Sequence, residues 1–150
     1  RRVCMSDHDF SKEFFAAYHA AVFEALGEDA PKMNAKIGAL LANAWLKKLA
    51  ILPSESAEFK KTLEEWMSGP FKFADISELT FKDGGATLYV KGCDICQGNE
   101  ILRNGGGKGY CPISQLVKSA MGKGLKKSVE LKGSEKPGPV GECFLHYKID

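Results

Sequence analysis

The chain has 150 residues, of which 44% are hydrophobic, 10% aromatic and 27% charged. This is the composition of one ordinary soluble domain, and it excludes a disordered chain, a collagen and a coiled coil. A chain of this length buries about two-thirds of its surface on folding, so it can hold a core together without disulfides. We therefore expect a single domain over residues 1–150.

The charges are nearly balanced, with 21 lysines and arginines against 19 aspartates and glutamates. The local basic excess lies between Lys118 and Lys132, but no aromatic residues alternate with these lysines as they would on a nucleic-acid stacking surface. We expect a solvated face and no nucleic-acid partner. The sequence also has neither a long apolar run nor a signal-peptide pattern, which predicts no membrane span and a cytoplasmic location with reduced thiols.

Residues 7–69 form the helical half of the domain, because their apolar residues recur at helical spacing. The second of three predicted helices has so wide an apolar stripe that we expect it to be central and mostly buried. The predicted starts and ends are Ser6 or Asp7 and Gly27 for the first helix, Pro31 and Pro53 for the second, and Ser54 or Ser56 and Gly69 for the third.

Residues 70–150 form the sheet half, where the apolar period shortens. Asp83-Gly84-Gly85 separates two alternating segments and predicts a β-hairpin. We expect an irregular glycine-rich region next, then one helix, then two strands. The predicted bounds are residues 71–81 and 86–90 for the hairpin, 92–109 for the irregular region, 112–121 for the helix, and 125–131 and 144–149 for the last strands. This order predicts an α+β domain with helices against one face of an antiparallel sheet.

Five cysteines are more than such a core needs. Cys4 stands alone, and an odd number spread in this way is not a secreted disulfide framework. Cys93-Asp94-Ile95-Cys96 follows the hairpin, where a metal knuckle or a redox dithiol would sit. If the last strand pairs beside the hairpin, four thiolates meet and can form a tetrahedral zinc site. These four are Cys93, Cys96, Cys111 and Cys143.

His146 competes with Cys143 as the fourth ligand. Residues three apart on a strand face opposite sides of a sheet, so both can bind one metal only if a bulge intervenes. The core-like residues Tyr147 and Ile149 alternate in phase with Cys143. We therefore rank Cys143 above His146.

The redox interpretation requires a helix that begins just after the first cysteine and lowers its pKa. Gly98, Asn99 and the Gly105–Gly107 run follow Cys93, so we expect a loop and not a strand, C-x-x-C and helix arrangement. Cys111 lies beside Pro112 at a predicted helix start and is the better placed activated thiolate. No neighbouring acid or base supports it as a catalytic nucleophile.

Residues 70–150 resemble the 4-vinyl reductase domain family, small predicted hydrocarbon-binding proteins. The motifs that carry the resemblance are Gly92-Cys93-Asp94-Ile95-Cys96, Cys111-Pro112, Met121-Gly122-Lys123-Gly124 and Gly141-Glu142-Cys143. The resemblance implies helices packed on a four- or five-stranded twisted antiparallel sheet with one further helix, as in nitric-oxide signalling and vesicle-tethering domains. It also implies a homodimer, and zinc bound by the four cysteines.

The main functional hypothesis is therefore a sensor-like domain that binds a small apolar molecule between helices and sheet and carries a structural zinc. The residues assigned to that ligand are Phe14, Tyr18, Trp45 and Phe73. Two alternatives stay open: a reductase-like or thiol-dependent enzyme that uses Cys111, and a dimeric interaction module built on the helical half.

Overall fold

The computed structural model describes residues 11–150. Cys4 and the predicted helix caps Ser6 and Asp7 lie outside these residues. Helix α1 (Lys12–Leu26) begins at Ser11, whose hydroxyl accepts the Phe14 N–H at 3.0 Å. It ends at Gly27, which has the positive φ of 56° that glycine adopts without strain. A 3-10 turn then leads into α2.

Helix α2 (Ala30–Lys48) is the central helix, as its wide apolar stripe predicts. It carries a proline in its first turn and packs along α5 (Pro112–Leu125). The two helices approach so closely at Gly38 that a Cβ there would overlap the Gln115 backbone. Helix α3 (Ser56–Ser68) follows an extended Glu55 and buries Phe59 and Leu63 completely.

Four antiparallel strands form one sheet in the order β1-β2-β4-β3. Their bounds are Ile76–Lys82 for β1, Gly85–Lys91 for β2, Val129–Glu135 for β3 and Cys143–Ile149 for β4. The predicted hairpin is present, but Phe71 and Phe73 precede its first strand. The last strand pairs beside the hairpin as expected, with Val90 opposite Cys143. The α+β fold class is confirmed.

The expectation of an irregular region after Gly92 is wrong, because helix α4 (Asp94–Asn104) begins there. Two further helices, α4 and α5, therefore accompany the three N-terminal ones. Gly98 weakens the sequence signal for α4, but it has a packing role: a Cβ at this position would lie 2.8 Å from the Ala16 carbonyl oxygen of α1. Helix α4 is thus held by its contact with α1 more than by propensity.

The helices cover one face of the sheet and enclose the main core. Leu79, Leu88 and Leu145 lie side by side on adjacent strands and are buried under α3 and α5. A second apolar cluster joins α1 to α2 and α4 through Phe23 and Leu102. Within residues 11–150, no helix is long and apolar enough to cross a membrane.

Candidate functional site

Three cysteines meet at the corner where β2 ends, α4 begins and β4 begins; we call Cys93, Cys96 and Cys143 the cysteine cluster. Cys93 is the N-cap of α4, and its N–H donates to the Gly141 carbonyl at 3.0 Å. This backbone hydrogen bond brings the start of β4 against the start of α4. All three are free thiols with at most 8% of their surface exposed.

The cluster concentrates negative charge on its central sulfur. The thiols of Cys143 and Cys93 both donate hydrogen bonds to Cys96, which together with Lys136 and Arg103 holds the pKa of Cys96 well below its usual value. The same hydrogen bonds to Cys96, reinforced by burial, raise the pKa of Cys93 and of Cys143. Proton loss from any of these three thiols therefore affects the other two.

Cys111 lies near the cluster but bonds elsewhere. It caps α5, and its sulfur accepts the Ser114 N–H at 3.4 Å while the Ser114 hydroxyl donates to the Cys111 carbonyl at 2.7 Å. Burial is the main cause that raises the pKa of the Cys111 thiol. The negative charge of Cys96 raises it further, by a smaller amount. The protonated thiol is favoured, which speaks against the activated thiolate that its place at a helix start suggests.

His146 faces away from the cluster. Its Nδ1 lies 3.1 Å from the Thr87 hydroxyl and its Nε2 lies 2.5 Å from Glu135 Oε1, on the sheet face that the helices leave open. The register shift of the sheet falls between Leu131 and Gly133 of β3, so the alternation of β4 is unbroken. Cys143 accordingly turns toward α4, whereas His146 does not.

Thiolates are the donors that zinc prefers, so the chemistry of the cluster fits this ion. The donor set is incomplete as it stands: within the part of the chain that the structure describes, no three His, Cys, Asp or Glu side chains are arranged to hold a metal. Cys93, Cys96 and Cys143 would have to close around the ion as three ligands, and Cys111 would have to release Ser114 to become the fourth.

A cleft of about 390 Å³ lies beside the cluster, between α1, α2, residues 70–73 and the first turns of α4 and α5. We call it the apolar cleft, since aliphatic and aromatic side chains form most of its wall. The lining includes Tyr18, His19, Val22, Phe73, Ile95 and Ile113.

Two of the four residues assigned to the ligand from the sequence line this cleft, namely Tyr18 and Phe73. Phe14 stacks on Tyr18 with ring centroids 5.8 Å apart but lies outside the lining. Trp45 is 2% exposed and stacks on Trp66 at 4.9 Å within the main core, so it does not reach the cleft. Its place on the central helix α2 turns it toward α3.

His19 is a half-buried polar residue of the cleft, and no sequence motif marks it. Its Nε2 lies 2.8 Å from the Asn99 side-chain oxygen, which also accepts the Tyr110 N–H at 2.8 Å. Because this oxygen can only accept, Nε2 carries the proton and donates. Burial lowers the pKa of His19 despite the hydrogen bond to Asn99, so the imidazole is neutral at neutral pH.

The cysteine cluster and the apolar cleft share one turn of helix. Cys93 and Cys96 belong to the cluster, and the two residues between them, Asp94 and Ile95, line the cleft. Sequence reasoning missed Ile95 because it expected a loop in place of α4. Asp94 is half-buried, and this burial raises the pKa of its carboxyl.

The chain matches no protein-family model and no curated protein. Its resemblance to the 4-vinyl reductase domain family therefore rests on the cysteine and glycine motifs of residues 70–150 and stays a prediction. The homodimer that the resemblance implies and the cytoplasmic location also stay predictions.

Proposed function

We propose that this protein is a ligand-binding domain similar to those of the 4-vinyl reductase family and holds a small apolar molecule in the apolar cleft. The observation that carries the proposal is the cleft itself, which is walled by aromatic and aliphatic side chains from four helices and the 70–73 segment. Its volume of about 390 Å³ falls within the roughly 300–1,000 Å³ typical of small-molecule sites.

The energetics of burial set a minimum size for the ligand. A molecule the size of one aromatic ring buries about 150 Å² and gains about 4 kcal/mol, at about 25 cal/mol per Å². Association alone costs about 4 kcal/mol or more. We therefore expect a ligand larger than one ring, or one that adds a hydrogen bond to a polar group of the wall such as His19.

The cysteine cluster supports a structural zinc as the second part of the proposal. Cys93, Cys96 and Cys143 supply three thiols at the joint between α4 and β4, and Cys111 is the remaining free thiol of residues 11–150. A bound zinc would hold four thiolates together and so fix the starts of α4 and α5 relative to β4. Since both helix starts line the cleft, the metal would stiffen its wall.

The uncharged fluorophore N-phenyl-1-naphthylamine tests the cleft. We expect saturable binding to the full chain, and a loss of about tenfold or more in affinity for Val22→Asp, because a carboxylate in the wall stays hydrated. The matched control is Ala21→Asp, which adds the same charge one residue away at an exposed position.

Equal binding by Val22→Asp and Ala21→Asp would contradict the proposed site. Circular dichroism of both variants separates loss of the cleft from loss of the fold. Native mass spectrometry of the wild-type chain would reveal an apolar compound that is retained through purification.

A further inference from the structure

We propose that Cys93 and Cys96 form a redox dithiol whose disulfide reshapes the apolar cleft and thereby changes its affinity for apolar ligands. The first part concerns a modification site in its own right, and the second part rests on the proposed function. The sequence argued against such a dithiol because it predicted no helix after Cys93. Helix α4 removes that objection.

The local architecture is a strand, a C-x-x-C and a helix. Strand β2 ends at Lys91, Cys93 is the N-cap of α4 and Cys96 is the third residue of its first turn. Residues three apart in a helical turn have Cα atoms about 5 Å apart, which lies inside the roughly 4.4–6.8 Å that a disulfide spans. A bond between these two sulfurs therefore needs little backbone movement.

Cys143 is the competing partner for Cys96, since it also bonds to that sulfur. It is the first residue of β4 and lies opposite Val90 of β2, so a bond from it to Cys96 would join the sheet to α4. A Cys93–Cys96 bond stays within one turn of α4, where the Cα separation already suits a disulfide. It therefore leaves the position of α4 relative to the sheet unchanged, with the Cys93 and Asp94 N–H groups still bonded to the Gly141 and Phe73 carbonyls.

The reaction is thiol–disulfide exchange with a low-molecular-weight disulfide. Cys96 is the more exposed of the two residues, at 8% against 3% for Cys93, and we assign the first attack to its sulfur. As a thiolate it attacks the external disulfide and displaces one thiolate, leaving a mixed disulfide. Cys93 then passes its proton to the thiolate displaced first, attacks the Cys96 sulfur and displaces the second thiolate, which takes up a proton from water. Two protein thiols are oxidised, and one external disulfide is reduced to two thiols.

The new bond would act on the cleft directly. Asp94 and Ile95, the two residues enclosed by the ring, line the cleft. Asn99 lies one turn further along α4 and accepts a hydrogen bond from His19, another lining residue. A shift in the first turn of α4 therefore moves side chains on two sides of the ligand.

Equilibration of the metal-free full chain with mixtures of reduced and oxidised glutathione tests the proposal. Free thiols are then alkylated and the disulfides mapped by peptide mass spectrometry. We expect a Cys93–Cys96 disulfide in the wild type, in Cys143→Ser and in Cys111→Ser, and none in Cys96→Ser. The affinity for N-phenyl-1-naphthylamine should differ about fivefold or more between the reduced and oxidised wild type, the lower end of coupling between two sites.

A Cys96–Cys143 disulfide, or no intramolecular disulfide in the wild type, would overturn the dithiol. The correct disulfide with an unchanged fluorophore affinity would overturn its control of the cleft. If the proposed function is wrong, the reduced wild type will bind the fluorophore no better than Val22→Asp. Peptide mapping will still show whether the Cys93–Cys96 disulfide forms, so the two failures can be told apart. The main readout uses the wild type, so a variant that fails to fold does not weaken the test.

Discussion

At the level of single residues, the environment of His19 favours the neutral form of its imidazole. The ring lies against α4 and is tilted against the Phe23 ring with centroids 4.8 Å apart, while Nε2 donates to Asn99. Desolvation disfavours the imidazolium here more than the hydrogen bond favours it. His146 also bonds through its ring, but it lies on the open face of the sheet beside Glu135. The two histidines therefore offer a matched comparison.

The lowered pKa of His19 predicts a pH-dependent stability. A histidine whose folded pKa lies below its unfolded value of 6.5 binds more protons in the unfolded state. The free energy of unfolding should therefore be fully retained above pH 6.5 and fall as the pH drops from there toward the folded pKa. Urea unfolding at several pH values should show a smaller loss in His19→Gln than in His146→Gln. An identical loss in both variants would refute this role of His19.

At the element scale, α4 shows what the sequence could and could not predict. The alternation of apolar and polar residues and the Asp83-Gly84-Gly85 turn were sufficient to predict the hairpin, because strand register and turn chemistry depend on local sequence. Helix α4 could not be predicted locally, because Gly98 and Asn99 favour a loop by propensity and are explained only by their contacts with α1. Trp45 shows the same limit: helical spacing predicts a buried aromatic residue but not which cavity or core it faces.

The contact between α1 and α4 predicts the effect of Gly98→Ala. An added methyl would lie 2.8 Å from the Ala16 carbonyl oxygen and from His19 Cδ2. Overpacking of this kind costs about 1–3 kcal/mol, against a gain of about 1 kcal/mol from the better helix propensity of alanine. Gly98→Ala should therefore lower the free energy of unfolding by up to about 2 kcal/mol.

Urea unfolding measures this change, with Gly122→Ala in α5 as the control. At Gly122 the nearest atom to an added Cβ is the Lys127 carbonyl oxygen at 3.5 Å, an ordinary contact. This variant should be neutral or stabilised by up to about 1 kcal/mol. Stabilisation of both variants would show that α1 and α4 do not pack closely at Gly98.

At the scale of the whole molecule, the cysteine cluster joins parts of the chain that are distant in sequence. Cys93 and Cys96 start α4, and Cys143 starts β4 about fifty residues later. The sequence predicted this convergence because pairing of the last strand beside the hairpin brings Val90 and Cys143 together. The detailed arrangement of the sulfurs, and the bond of Cys111 to Ser114, depend on the start of α4 and could not be predicted.

The proposed zinc site predicts a large effect on global stability, because only the folded chain brings all four cysteines together. At a free zinc concentration of 100 times Kd, the gain is about 2.7 kcal/mol. For a domain of this size each kcal/mol raises Tm by about 2–4 °C, so we expect about 5–10 °C. Thermal unfolding with and without zinc measures the shift, which Cys96→Ser should abolish because it removes the central thiolate.

His146→Gln should keep the full shift, since this ring bonds to Thr87 and Glu135 on the other face of the sheet. A shift lost in His146→Gln and kept in Cys96→Ser would move the metal away from the cysteine cluster.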